Sequence, residues 1–275
     1  MREFPRVEEP VIESVSIYDL DQGKVAGAMR SERLKRVVFD GVRPEGRISR
    51  IKNVTFEKCI FNHQEIYSIN FYGCIFIDCT FNGAKFKGCE FHKCIVRNCV
   101  FYKVSFVDVY VDPRSFKFDW YWRRHFANVN VGLFQAIYKN SKNMHQDSFA
   151  MEADKKFLLY KRYEYLFGKE RKFGSFLFWQ GYNILLGSGY GILNALLFTI
   201  IGILGFAWLI EGRLVEKDGF LAALYFAVVS FTTVGYGDLK PKMELAPLAV
   251  TMFFVIVSVI WCSIVTAIVV KRIVK

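Results

Sequence analysis

From Phe56 onward an apolar residue recurs at every fifth position: Phe56, Phe61, Ile66, Phe71, Phe76, Phe81, Phe86, Phe91, Val96, Phe101, Phe106 and Val111. Neither a helix nor a strand generates a strict period of five, because their side chains repeat every 3.6 and 2 residues. A second series sits two residues earlier: Val54, Cys59, Gln64, Ile69, Cys74, Cys79, Ala84, Cys89, Cys94, Cys99, Val104 and Val109. All of it is small or apolar except Gln64. Self-similarity at a fixed short period signals a stacked repeat.

The two series together resemble the pentapeptide-repeat family, over residues 48–117. The resemblance implies a right-handed quadrilateral β-solenoid in which both series point inward and four pentapeptides complete a coil. Residues twenty apart should then stack at the inter-strand spacing of about 4.8 Å. Phe61, Phe81 and Phe101 would form one ladder, and Ile66, Phe86 and Phe106 another. Cys59, Cys79 and Cys99 would stack on one face, and Cys74 and Cys94 on a second. Six of the seven cysteines are thus read as small core residues, reduced in cytoplasm, because parallel stacked thiols suit the disulfide dihedral poorly. A metal site at Cys59/His63 or His92/Cys94 is disfavoured, because the histidines fall at outward positions. Some pentapeptide-repeat proteins imitate DNA with an acidic surface. Residues 48–117 carry ten Lys/Arg against six Asp/Glu, so no nucleic-acid mimicry is expected, and no nucleic-acid partner.

Residues 1–47 are expected to cap the open end of the solenoid, with apolar runs at 11–18 and 37–39. The start has no apolar core and no signal peptide is read there. Residues 119–126 (DWYWRRHF) break the period. Helical patterns over 131–140 and 148–167, separated by the polar NSKNMHQD, predict an α-hairpin linker within 118–168 whose aromatics pack on the end of the solenoid.

The C-terminal part differs sharply in composition. The chain is 53% hydrophobic yet 23% charged, with net charge +11, and the apolar residues concentrate late. Ile192–Ile210 and Leu245–Val270 are 19 and 26 residues without a charge, long enough to span a bilayer. Between them residues 219–231 (GFLAALYFAVVSF) are apolar but too short to cross. Such a segment enters and returns, which is tolerated only against protein or a water-filled path. Seven basic residues lie in 155–172, and Lys271, Arg272 and Lys275 follow the second span; only Arg213, Lys217, Lys240 and Lys242 lie between the spans. Both termini are therefore expected in the cytoplasm. The aromatic-rich Phe173–Leu186 reads as an interfacial helix within 169–189, beside membrane lipid, and GSGYG at 187–191 as a flexible elbow.

Directly after the re-entrant segment stands Thr232-Thr233-Val234-Gly235-Tyr236-Gly237-Asp238. Here residues 190–272 resemble the two-span, one-pore-loop branch of the potassium-channel family. The resemblance implies a homotetramer whose filter, Thr233, Val234, Gly235, Tyr236 and Gly237, coordinates K+ through backbone oxygens of Thr233, Val234, Gly235 and Tyr236 and the Thr233 hydroxyl. Backbone carbonyls replace water oxygens at suitable field strength. Aiming successive carbonyls at one axis needs left-handed dihedrals at alternate positions, which Gly235 and Gly237 supply. Thr232, Val229 and Asp238 are expected to support the filter, and Tyr225 and Phe226 to brace Val234 and Tyr236. The helix end near Phe231 would direct partial negative charge at the cavity.

Two departures stand out. Where some relatives have a pore-helix glutamate paired with the aspartate after the filter, this chain has Val229, so Asp238 needs an aromatic hydroxyl or water instead. Where many relatives bend the inner helix at glycine, Leu245–Val270 has none, and Ser258 or Val257 takes that place. Ser258, Cys262 and Thr266 form a polar stripe, read as a cavity wall in preference to interhelical packing, with Trp261 narrowing the passage.

The fold class expected is thus multi-domain: β-solenoid, α-hairpin, interfacial helix, and an all-α two-span pore domain over 190–275 with a re-entrant pore helix. The location expected is a cell membrane, bacterial, with two spans. No voltage-sensing helix precedes the pore, and no regulator is expected after it, so any unknown cytoplasmic regulator would act through the N-terminal side. No cofactor is expected beyond K+ ions in the filter, and no enzyme site, since the four histidines lack a partner constellation. The competing reading is a membrane-tethered scaffold with a non-conducting pore, which an intact filter disfavours.

Overall fold

The computed structural model describes residues 12–22, 33–39, 49–215 and 219–273. Most of the proposed cap, Lys217, the side chains of Lys271 and Arg272, and Lys275 lie outside the described residues. The chain forms two compact units, Met1–Phe176 and Leu177–Lys275.

In the first unit the backbone turns a corner every five residues. Asn53, Lys58, His63, Ser68, Gly73, Asp78, Gly83, Gly88, Lys93, Asn98, Lys103 and Asp108 all take φ between 50° and 68°. Each corner folds the chain onto a new face, so each strand pairs in parallel with the one twenty residues earlier: Ser49 with Ile69, Phe56 with Phe76, Ile66 with Phe86, Phe71 with Phe91. Three faces are ladders of strands, and the fourth is a line of single bridges through Ile60, Thr80 and Val100. Both inward series are in the core except Val54 and Gln64, which are half-buried, with Phe56, Cys59, Ile69, Cys79 and Ala84 fully buried. Rings stack as the period predicts, Phe61 on Phe81 at 4.7 Å and Phe81 on Phe101 at 4.6 Å between centroids.

The six repeat cysteines are buried thiols. Their sulfurs lie 3.3–3.5 Å from main-chain carbonyls, such as Cys79 Sγ donating to Phe56 O at 3.3 Å. Burial pushes the Cys79 thiol well above its usual range, which keeps it protonated and unreactive.

The solenoid extends further toward the N-terminus than residue 48. Arg33–Lys35 and Val37–Phe39 join it, Leu34 pairing with Phe56 and Val38 with Ile60. Here the offset is twenty-two, so two extra residues break the five-residue period and conceal this coil in the sequence.

The far end is closed by the hairpin. Helix α1 (Trp120–His125) leads into α2 (Ala127–Asn143) and α3 (Asp147–Phe167). Leu133, Phe134 and Ile137 of α2, and Ala153 and Tyr160 of α3, are buried in one core with the solenoid. The open strand edge needs hydrogen-bond partners. Asn140 provides both kinds: its Oδ1 accepts from Val109 N at 3.0 Å and its Nδ2 donates to Val109 O at 2.7 Å. Lys156 Nζ donates to Pro113 O and Phe116 O, each at 2.8 Å.

The second unit is helical. Helix α4 (Phe173–Leu186) bridges the boundary between the units; α5 (Ile192–Ile210) and α7 (Leu245–Ile273) are the two membrane spans. The short α6 (Phe220–Phe231) packs Ala223, Phe226 and Ala227 against Phe206, Ala207 and Ile210 of α5. The link from α4 to α5 is a hydrogen-bonded turn, in contrast to the flexible elbow expected. Gly187, Ser188 and Gly189 all have positive φ, Gly191 N donates to Leu186 O at 3.0 Å, and Ser188 Oγ donates to Asn183 Oδ1 at 2.6 Å.

Candidate functional site: the loop after helix α6

Helix α6 ends in a tight hydrogen-bonded knot. Thr232 N donates to Val228 O at 2.9 Å, Thr233 N to Ser230 O at 3.2 Å and Val234 N to Val229 O at 3.1 Å. Thr232 Oγ1 adds a bond to Val228 O at 2.8 Å. Beyond the knot the backbone alternates: Thr233, Gly235 and Gly237 have φ of 58°, 58° and 77°. Two of these are the glycines singled out in the sequence. The third is a β-branched residue in the left-handed region, which costs on the order of 1–3 kcal/mol. Nothing in the residue type of Thr233 announces it; the adjoining hydrogen bonds hold it.

The outer end of the loop is fixed independently. Leu239 is buried in the α5/α6 cluster. Leu214 and Pro241 form an antiparallel bridge, with Val215 N donating to Lys240 O at 3.0 Å and Lys242 N to Arg213 O at 2.8 Å. The loop is therefore suspended between two rigid anchors.

The Tyr225 hydroxyl interacts with Asp238, the kind of aromatic partner expected for that carboxylate. Tyr225 thus faces Asp238, and Phe226 packs on Phe206 of α5 at 6.1 Å between centroids. Within one chain neither braces Val234 or Tyr236, which are 53% and 72% exposed. Val229 is half-buried and contributes its carbonyl to the knot.

On α7 the residues of the polar stripe differ in exposure within one chain. Ser258 is buried and donates to Phe254 O at 2.7 Å, the usual solution for a hydroxyl in an apolar helix. Trp261 Nε1 donates to Thr199 Oγ1 of α5 at 2.8 Å, so within one chain the indole N–H faces the outer helix. An indole N–H among apolar neighbours needs an acceptor, and Thr199 is the one within reach. Cys262 is half-buried, and Thr266 is exposed and donates to Cys262 O at 2.8 Å.

Residues 193–275 match the family described as ion channel, and residues 67–101 match pentapeptide repeats in 8 copies. A search of curated proteins finds no significant match. The chain thus carries a membrane ion-channel domain with two spans, preceded by a pentapeptide-repeat solenoid; neither family is an enzyme family.

Proposed function

We propose that this chain is one subunit of a homotetrameric, potassium-selective channel, with the carbonyls of Thr233, Val234, Gly235 and Tyr236 replacing the hydration shell of K+. The observation that supports it most is the alternating left-handed backbone at 233, 235 and 237, directly behind a short apolar helix between two spans. Alternation turns successive carbonyls toward one side, as a queue of backbone ligands requires. The exposed Val234 and Tyr236 side chains then pack against neighbouring copies, which makes the filter a property of the assembly. Both termini face the cytoplasm, on the basic side.

Regulation enters through α4. Its Tyr182 and Leu186 join Ile192 and Ala195 of α5 and Trp261, Val265 and Ile268 of α7 in one cluster, so displacing α4 is felt by the inner helix. Potassium and sodium flux from proteoliposomes tests the main claim. Wild type should pass K+ far faster than Na+, and Tyr236→Asp should lose that preference. Equal fluxes in wild type, or full selectivity in the variant, would overturn it. Deleting residues 1–118 tests the regulatory part, and unchanged open probability in an assembled deletion variant would remove it.

A further inference from the structure

Away from the pore, the α-hairpin carries a cleft of about 710 Å³. Its walls are the last turn of α1, the first turn of α2, and the end of α3 with the irregular segment leaving it. Arg124, His125, Lys169 and Arg171 line it, and Glu164 is its sole acid.

That acid is already neutralised, because Glu164 pairs with Lys161 at 2.7 Å. The next acid along, Glu170, pairs with Lys172 at 3.5 Å. Among the described residues no carboxylate remains for Arg124, Lys169 or Arg171. Arg124 instead lies over the Phe167 ring at 5.8 Å, which orders its guanidinium. Gly168 shapes the exit from α3: a Cβ there would stand 2.3 Å from Glu164 O. Only glycine allows this close approach, which returns Lys169 and Arg171 to the same cleft as Arg124. Three like charges gathered in a concavity repel one another unless an anion joins them.

We propose that this cleft binds a phosphate group, supplied by an anionic lipid headgroup or by a soluble phosphate. Arginine forks match phosphate oxygens bidentately, and a lysine adds a point charge. The first turn of α2 contributes further donors, because it has neither a side-chain cap nor an acidic residue. The lipid source is favoured by chain continuity. Arg171 stands just before α4, whose Phe173, Leu177 and Phe178 are 60%, 54% and 69% exposed, as an interfacial helix requires. The site is independent of the conduction claim, and its test reads binding, not flux.

Full-length protein in neutral detergent is titrated calorimetrically with short-chain phosphatidic acid, short-chain phosphatidylcholine, inorganic phosphate and glycerol 1-phosphate. Phosphatidic acid should bind saturably and more weakly at high salt. Arg124→Gln with Arg171→Gln, which keep the side-chain stems, should weaken it by roughly tenfold or more. Lys139→Ala, an exposed cation outside the cleft, should change nothing. Equal binding of glycerol 1-phosphate would support the site and assign the soluble source. Absence of binding by every phosphate probe, or equal weakening in Lys139→Ala and the cleft variant, would overturn the proposal.

Discussion

The hydrogen bond from Trp261 to Thr199 is the one polar clamp seen between the two spans among the described residues, and it can be measured. Thr199 donates to Ala195 O at 2.8 Å while accepting from Trp261 Nε1 at 2.8 Å. Its hydroxyl is therefore used twice, in a short polarised chain. Thr199→Val preserves shape, removes the acceptor and strands the indole N–H. Trp261→Phe removes the donor together with packing area against Val265 and Ile268. Interhelical hydrogen bonds in bilayers are worth about 0.6 kcal/mol on average and at most about 1.7 kcal/mol, less than in an isolated apolar medium, since the unfolded helices also find partners. A double-mutant cycle isolates the shared term. The expected coupling is therefore about 0.6–1.7 kcal/mol per chain, read from denaturant unfolding of the purified protein. Strict additivity, with both single variants destabilised, would refute the bond as an energetic contact and leave packing alone. Increased unitary conductance in Trp261→Phe, without coupling to Thr199, would instead support the passage-narrowing role expected from the sequence.

Phe76 is 2% exposed and stacks on Phe56 at 4.8 Å, so Phe76→Ala should destabilise the solenoid by about 3–5 kcal/mol. Tyr102→Ala, at an exposed position, should stay within about 0.5 kcal/mol in the same chemical denaturation. Burial brings Lys156 down to about 8 from 10.5, so the unfolded chain binds more protons between those pH values. Its contribution to stability should rise with pH across that window, a slope that disappears in Lys156→Met. That variant also leaves two carbonyls without their donor, at a cost of roughly 1–3 kcal/mol near neutral pH. Gly191→Ala would place a Cβ 2.9 Å from Gly187 Cα; the backbone must shift, costing about 1–3 kcal/mol in thermal unfolding and altering gating measured in planar bilayers.

The inward series of the solenoid were legible because hydrophobicity marks them at a fixed interval. The corner positions were not, since left-handed φ is a backbone property and only Gly73, Gly83 and Gly88 among the twelve are glycines. The first coil was hidden by two additional residues, which moved Leu34 and Val38 out of phase. In the sequence Asn140 opens a polar turn segment and Lys156 is one of seven basic residues in 155–172. Their capping role depends on an edge that exists only after folding. In the pore, motif and spans were plain, but which way Ser258 and Trp261 face was not. A helix apolar all round carries no moment to orient it, and single polar groups turn toward whichever acceptor the neighbouring helix offers.

The two halves of this picture constrain how a signal could travel. The core of the first unit runs unbroken from Ile17 through the repeat phenylalanines to Tyr160, and its end is closed by Asn140 and Lys156. Solenoid and hairpin therefore act as one stiff body, because close-packed cores do not deform continuously. Helix α7 is also stiff: past Pro247 in its first turn it contains neither proline nor glycine, the usual sources of kinks. Under the proposed function, an inner helix without a hinge would open a gate by tilting as a rod. The fixed point of such a tilt would be the polar tie of α7 to α5 at Trp261 and Thr199. The same cluster receives Tyr182 and Leu186 from α4, so load and pivot would share one set of side chains. Under the proposed function, a pull on α4 would act close to that pivot, where a small displacement produces a large movement at the far end of the rod.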